Sequence, residues 1–105
     1  MTTLNNISMI KEANIYFDGK VSSRSITLAD GSKQSLGVML PGEYTFDTQE
    51  AEIMEMMSGE LSIRLPHETE FRTLHTPETF TVPAHASFDL KVTSVTDYSC
   101  SYIKA

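Results

Sequence analysis

The sequence predicts an all-β protein, a sandwich or barrel of short strands. From Ile15 onward apolar and polar residues alternate with period two, and turn residues break the alternation every few positions. No segment carries apolar residues at helical spacing over a helix length. At 105 residues the chain has room for one core and one pocket, so a single domain is expected. The reading divides it into an N-terminal arm over 1–13 and a barrel over 14–105.

Residues 1–13 are polar and weakly patterned, and are read as a mobile arm or a single helical turn. Val21–Ile26 and Leu36–Leu40 are predicted strands joined through Asp30-Gly31, a hairpin turn signal. Further strands are predicted at Glu43–Asp47, Ile53–Met57, Leu61–Leu65, Phe80–Val82, Phe88–Val92 and Tyr98–Ile103. Pro41-Gly42, Ser58-Gly59, Pro66-His67, Pro77 and Pro83 punctuate them. Leu61, Ile63 and Leu65 share one face against Ser62 and Arg64, and Phe88, Leu90 and Val92 oppose Asp89 and Lys91. A sheet that buries one face and wets the other needs that pattern. Ile53–Met57 also fits a short helix, which Ser58-Gly59 would soon end.

The formal net charge is −6. Nucleic-acid backbones and anionic membranes are therefore not expected as partners, since both are repelled at long range. A small anion remains compatible, because local donors can overrule the global field. The single cysteine, Cys100, cannot close an intramolecular disulfide, and a reducing compartment fits best. The first residues lack a basic stretch followed by an apolar run, and no apolar stretch approaches the ~20 residues that span a bilayer. A cytoplasmic protein is expected.

The chemistry is concentrated in two blocks, Pro41–Leu61 and Pro77–Leu90. In a metal-binding β-barrel of the cupin type the first block would carry a His-x-His pair, and the second a third histidine. Here Phe46, Thr48 and Phe88 stand at those places, while Glu52, Gly59 and Pro83 match the pattern. His67, His75 and His85 fall in or beside loops, so no spaced ligand set exists and no metal is expected. Of the acidic residues between 43 and 60, Glu43 and Glu52 are placed nearest the pocket. A desolvated carboxyl there would protonate a leaving group; an ionised one would stabilise developing positive charge. His85, just after Pro83, is placed near the barrel mouth, where it would donate to an anion or exchange a proton. Tyr44, Phe46, Phe80, Phe88, Tyr98 and Tyr102 suffice to line a pocket, though for any one of them core packing is the commoner fate. Phe46 and Phe88 would form a flat apolar slot suited to a planar ring. Candidate anion donors are Lys20, Arg24, Arg64, Arg72 and Lys91, with the hydroxyls of Ser22, Ser23, Ser25 and Thr48.

The runs YFDGKV, SLGVMLPGEYTF, GEL-x-I-x-LP, F-x-VPAHASF-x-L-x-V and YSCSY, in that order from Tyr16 to Tyr102, resemble the pyrimidine/purine nucleoside phosphorylase family of small bacterial cupins. The resemblance implies a cupin-like jelly-roll barrel, a homodimer and no required metal or cofactor. It implies phosphorolysis of purine and pyrimidine nucleosides, with inorganic phosphate as co-substrate. Glu43, Glu52 and His85 would then be the catalytic candidates, and Tyr44, Phe46, Thr48, Phe88, Tyr98 and Tyr102 the substrate-binding ones. Pro77-Glu78 stands where the family more often has a glycine turn, and Ser101 where an arginine can occur. If that arginine held phosphate elsewhere, another donor must replace it here. The alternative reading is a metal-free cupin that binds a small sugar or nucleoside without turnover. A weaker one is a metal-dependent dioxygenase or isomerase.

Overall fold

The computed structural model describes residues 2–104. Among them are eleven strands, one 3-10 turn and no α-helix. The strands are β1 (Ser8–Met9), β2 (Asn14–Tyr16), β3 (Val21–Thr27), β4 (Lys33–Met39), β5 (Gly42–Asp47), β6 (Ala51–Ser58), β7 (Leu61–Arg64), β8 (Arg72–Leu74), β9 (Glu78–Val82), β10 (Ser87–Val92) and β11 (Thr96–Ile103). The 3-10 turn, Phe17–Gly19, leads from β2 into β3. No helix among the described residues is long and apolar enough to cross a membrane.

The predicted strands all appear, most within a residue or two of their expected ends. Ile53–Met57 is strand, because Met54 and Met56 are buried while Ile53 and Glu55 are exposed, a period of two. The start of the chain departs from expectation. Ser8 and Met9 pair with Thr27 and Ile26 rather than forming a free arm or a helical turn. The Ile10 amide donates to the Ser25 carbonyl at 2.9 Å, and Arg24 Nε donates to the Lys11 carbonyl at 3.2 Å. Backbone pairing along the rim of β3 supplies the order that side-chain patterning does not reveal. β2 and β8, each of three residues, are too short for alternation to announce them.

One sheet runs β1-β3-β4-β11-β6-β9, with β2 also on β3; the other runs β5-β10-β7-β8. Every pairing is antiparallel. From β4 onward the chain passes repeatedly between the sheets, so their inner faces are interleaved in sequence. Those faces meet in one core: Met56, Phe80, Val82 and Met39 from the larger sheet, and Leu61, Ile63, Leu74, Phe88, Leu90 and Val92 from the smaller. Full burial of side chains of this size contributes roughly 1.5–3 kcal/mol each. The core borders a cavity that Met39, Met54 and Phe88 help to line.

Candidate active site

The inner face of the larger sheet is a grid fixed by register. Thr27, Lys33, Tyr102, Glu52 and Val82 stand opposite one another across five strands in the terminal row. Ser25, Ser35, Cys100, Met54 and Phe80 form the next row, and Ser23, Gly37, Tyr98 and Met56 the one after. Because side chains alternate, all of these project to one face. The grid is mostly hydroxyl, phenol, thiol and carboxyl in its outer rows and apolar toward Val21, Met39 and Met56.

The facing wall is aromatic. Phe46 on β5 and Phe88 on β10 are register partners whose rings stack with centroids 5.5 Å apart and planes 22° off parallel. Phe17 adds a third ring, 5.3 Å from Phe46 and edge-on to it. Phe17 and Asp18 hold positive φ, 51° and 56°, before Gly19 at 90°. A bulky residue in that region is uncommon and persists only where its surroundings hold it. Here the Phe17 ring is held against Tyr44, at 4.9 Å, and Phe46. Between the two walls lies a cavity of about 350 Å³. Phe46 and Phe88, with Thr45 and Asp47 beside them on β5, line it from the smaller sheet, Tyr16 and Phe17 from the segment before β3, and Ser23, Ser35, Glu52, Tyr98, Cys100 and Tyr102 from the larger sheet.

Glu52 is the half-buried carboxyl of this cavity. Desolvation raises its pKa above the ordinary 4.5, aided by the nearby charge of Glu50 and opposed by a bond from Cys100. That bond runs from Cys100 Sγ to Glu52 Oε1 at 3.4 Å. Burial, then the Glu52 charge, pushes the Cys100 thiol upward, so it stays protonated. Burial likewise raises both phenols, Tyr98 and Tyr102. The Tyr102 hydroxyl shares a hydrogen bond with Ser35 Oγ at 3.0 Å, and that of Tyr98 donates to the Ser22 carbonyl at 3.4 Å. At neutral pH this wall offers neutral hydroxyl donors beside one carboxyl group of raised pKa. No buried side-chain polar atom among the described residues lacks a partner.

Of the candidates read from the sequence, Glu52, Phe46, Phe88, Tyr98 and Tyr102 come together around the cavity, with Ser23 from the anion-donor set. The other catalytic and substrate-binding candidates do not. Glu43 is exposed on the outer face of β5, in a groove with Arg64, Asp89 and Lys91, because its position in the strand has the parity opposite to Tyr44 and Phe46. Tyr44 is buried, but its hydroxyl donates to the Leu40 carbonyl and it packs behind Phe17 rather than facing the cavity. Thr48 is a clasp: its Oγ1 donates to the Pro83 carbonyl at 2.7 Å and accepts from the Ala86 amide at 3.0 Å. His85 is exposed at positive φ on the turn after β9 and is not among the cavity's lining residues. Sequence reading missed Tyr16, Phe17, Ser35, Thr45, Asp47 and Cys100, among others, as lining residues. Parity within SLGVM would have flagged Ser35; nothing short of the fold would have placed Phe17.

The five basic anion candidates also lie away from the cavity. Arg64 pairs with Asp89 and Arg72 with Glu78, both on exposed surface. Lys91 stacks on Phe71, 4.2 Å from its centroid. Arg24 points outward from β3, and Lys20 is exposed at its entrance. Position 101 faces outward too: Ser101 Oγ accepts a bond from Gln34 Nε2 at 3.1 Å. An arginine there would not enter the cavity. As for a metal, no three His, Cys, Asp or Glu side chains converge among the described residues. Phe46, Thr48 and Phe88 stand where a metal-binding cupin carries its histidines.

Comparison with known proteins bears on this geometry. The family model described as pyrimidine/purine nucleoside phosphorylase matches residues 11–102. A protein of that name from Sulfurimonas denitrificans is 64% identical over 104 residues, covering 99% of this chain and all of its own. A crystal structure of an Acinetobacter protein of unknown function superposes with a TM-score of 0.92 at 33% identity, covering 96% of this chain and 98% of that one. A cupin-2 domain from Rhodospirillum rubrum superposes at a TM-score of 0.68 over 99% of this chain and 74% of its own. With 10% identity, that likeness is one of fold alone, and the fold is cupin-like.

Proposed function

The chain belongs to the pyrimidine/purine nucleoside phosphorylase family, and from that premise we propose that it cleaves purine and pyrimidine nucleosides with inorganic phosphate. The products are the free base and ribose or deoxyribose 1-phosphate, which makes it a pentosyltransferase. The observation that carries the reading is the two-walled cavity: stacked rings on one sheet, hydroxyl and carboxyl groups on the other. A nucleoside has the same division, a planar base joined to a polyhydroxylated sugar. The slot between Phe17, Phe46 and Phe88 takes the base by its faces, and Phe rings cannot read the pattern of donors on a base edge. That favours broad base specificity, because discrimination needs polar groups that the wrong ligand leaves unpaired.

In the reaction a phosphate oxygen bonds to C1′ as the C1′–N bond breaks, and the bonding pair leaves with the base. Glu52 is the group assigned to this step. Desolvation favours its neutral form, which gives the departing base a proton; once ionised, the carboxylate faces an oxocarbenium-like sugar and stabilises it. Ser23, Ser35, Tyr98 and Tyr102 hold the sugar hydroxyls. No metal takes part in any of these steps. Around this site we read a closed jelly-roll barrel, supported by the passage of the chain between the sheets, and a cytoplasmic homodimer.

Product analysis tests the proposal. Uridine and inosine incubated with phosphate are expected to give pentose 1-phosphate and base in equal amounts. Free ribose in place of the ester would identify a hydrolase. Stabilisation by nucleoside with no product would leave a metal-free binding module.

A further inference from the structure

The cavity as lined has donors for a sugar and faces for a base, yet no cation for a phosphate. The strand register supplies one. Lys33 opens β4 and shares its parity with Ser35 and Met39, which line the cavity. Its Cα partners are Thr27 on β3 and Tyr102 on β11, and Tyr102 in turn faces Glu52 on β6. Directly opposed side chains in antiparallel pairs have Cβ atoms roughly 4.5–5.5 Å apart, so the Lys33 and Tyr102 side chains leave the sheet from adjacent positions. Among the described residues, the other basic side chains on strands are already engaged: Arg64 and Arg72 in ion pairs, Lys91 against Phe71 and Arg24 on the Lys11 carbonyl. Among the described residues Lys33 makes no ion pair; its Nζ donates to Thr27 Oγ1 at 2.8 Å, one of its three protons. It lines an open groove with Asn14, Ser25, Glu50, Tyr16 and Tyr102, the last two of which also line the cavity.

Building on the phosphorylase reading, we propose that Lys33 holds the phosphate co-substrate, with the hydroxyls of Thr27 and Tyr102 beside it. Inorganic phosphate enters along this groove and meets the sugar where the groove and cavity share Tyr102. Glu50 lies in the same groove and Glu52 in the same row, so two carboxyl groups oppose the anion and make a local cation necessary. A net charge of −6 adds to that need. Lys33 binds the attacking group and is neither acid nor base, which separates its effect from that of Glu52.

The test compares wild type, Lys33→Gln and Lys33→Arg. A lost charge-assisted contact is expected to raise the KM for phosphate about tenfold or more. The KM for uridine should stay within about twofold, and Lys33→Arg should recover most of the loss, since it restores the charge. A phosphate KM in Lys33→Gln within about twofold of wild type would overturn the assignment. Lys33 is exposed, so the fold is expected to survive, and a thermal melt checks this. Calorimetric titration of inorganic phosphate into the proteins reads binding without turnover: heat with wild type and none with Lys33→Gln supports the site, and equal heat refutes it. Should wild type release no base at all, the phosphorylase reading falls while the titration still decides on Lys33.

Discussion

Gly37 is where fold and cavity depend on the same missing atom. It sits on β4 between Ser23 and Tyr98, and a Cβ built there would stand 2.8 Å from the Tyr98 ring and hydroxyl, and closer still to the Ser22 carbonyl oxygen. Ordinary contact begins near 3.4 Å, so the ring would have to retreat by about 0.6 Å and the backbone of β3 by more. The ring can yield only toward the cavity it lines, at the expense of its hydrogen bond to that same carbonyl. Overpacking of this kind costs typically 1–3 kcal/mol, and a backbone neighbour places Gly37→Ala at the upper end, about 3 kcal/mol. For a chain of this size that is a fall in Tm of roughly 12–24 °C. Differential scanning calorimetry reads it directly, and Gly31→Ala is the comparison. A Cβ at Gly31 meets nothing within 4 Å, so only its φ of 88° opposes the change, at about 1 kcal/mol. Where Gly37→Ala still folds, the displaced Tyr98 should raise the KM for nucleoside. A Tm within about 3 °C of wild type would refute the close approach and the placement of Tyr98 with it.

Glu52→Gln should lower kcat by roughly 10²–10⁴, the usual worth of a positioned acid, whereas Glu43→Gln on the outer face should change it by less than about twofold; steady-state kinetics of both variants decide. The pH dependence of stability carries a signature of Glu52. Its pKa is raised on folding, so between the ordinary value near 4.5 and the folded value the native state binds more protons than the unfolded one. Stability is therefore lost as pH rises through that window, and Glu52→Gln should flatten this decline in denaturant titrations at successive pH values. Cys100 is buried with its pKa pushed up. Iodoacetamide should modify the native protein at least about a hundredfold more slowly than the unfolded chain, as followed by mass spectrometry. Phe88→Ala, which removes a fully buried ring stacked on Phe46, should cost about 3–5 kcal/mol in urea unfolding.

Much of the fold was legible because each sheet buries one face. Alternation in Leu61–Leu65 and Phe88–Val92 named both strand and inward side, and both hold in the structure. Strands without that signature went unseen: β1 and β2 are ordered by backbone pairing along β3, which leaves no trace in residue type. The site was legible only as far as parity was followed. Glu52 lines the cavity, whereas Glu43 differs in parity from Tyr44 and Phe46 and lies outside it. Lys33 was passed over because it borders a turn, although it shares the parity of Ser35. Phe17 reaches the cavity through a left-handed backbone that no local pattern predicts.

The central claim is phosphorolysis in the two-walled cavity. Its most direct test is release of uracil from uridine and hypoxanthine from inosine, with a metal chelator present, with and without inorganic phosphate. Release of both bases only when phosphate is supplied is the expected result. Equal release without phosphate, or no release of either base in saturating phosphate, would contradict it.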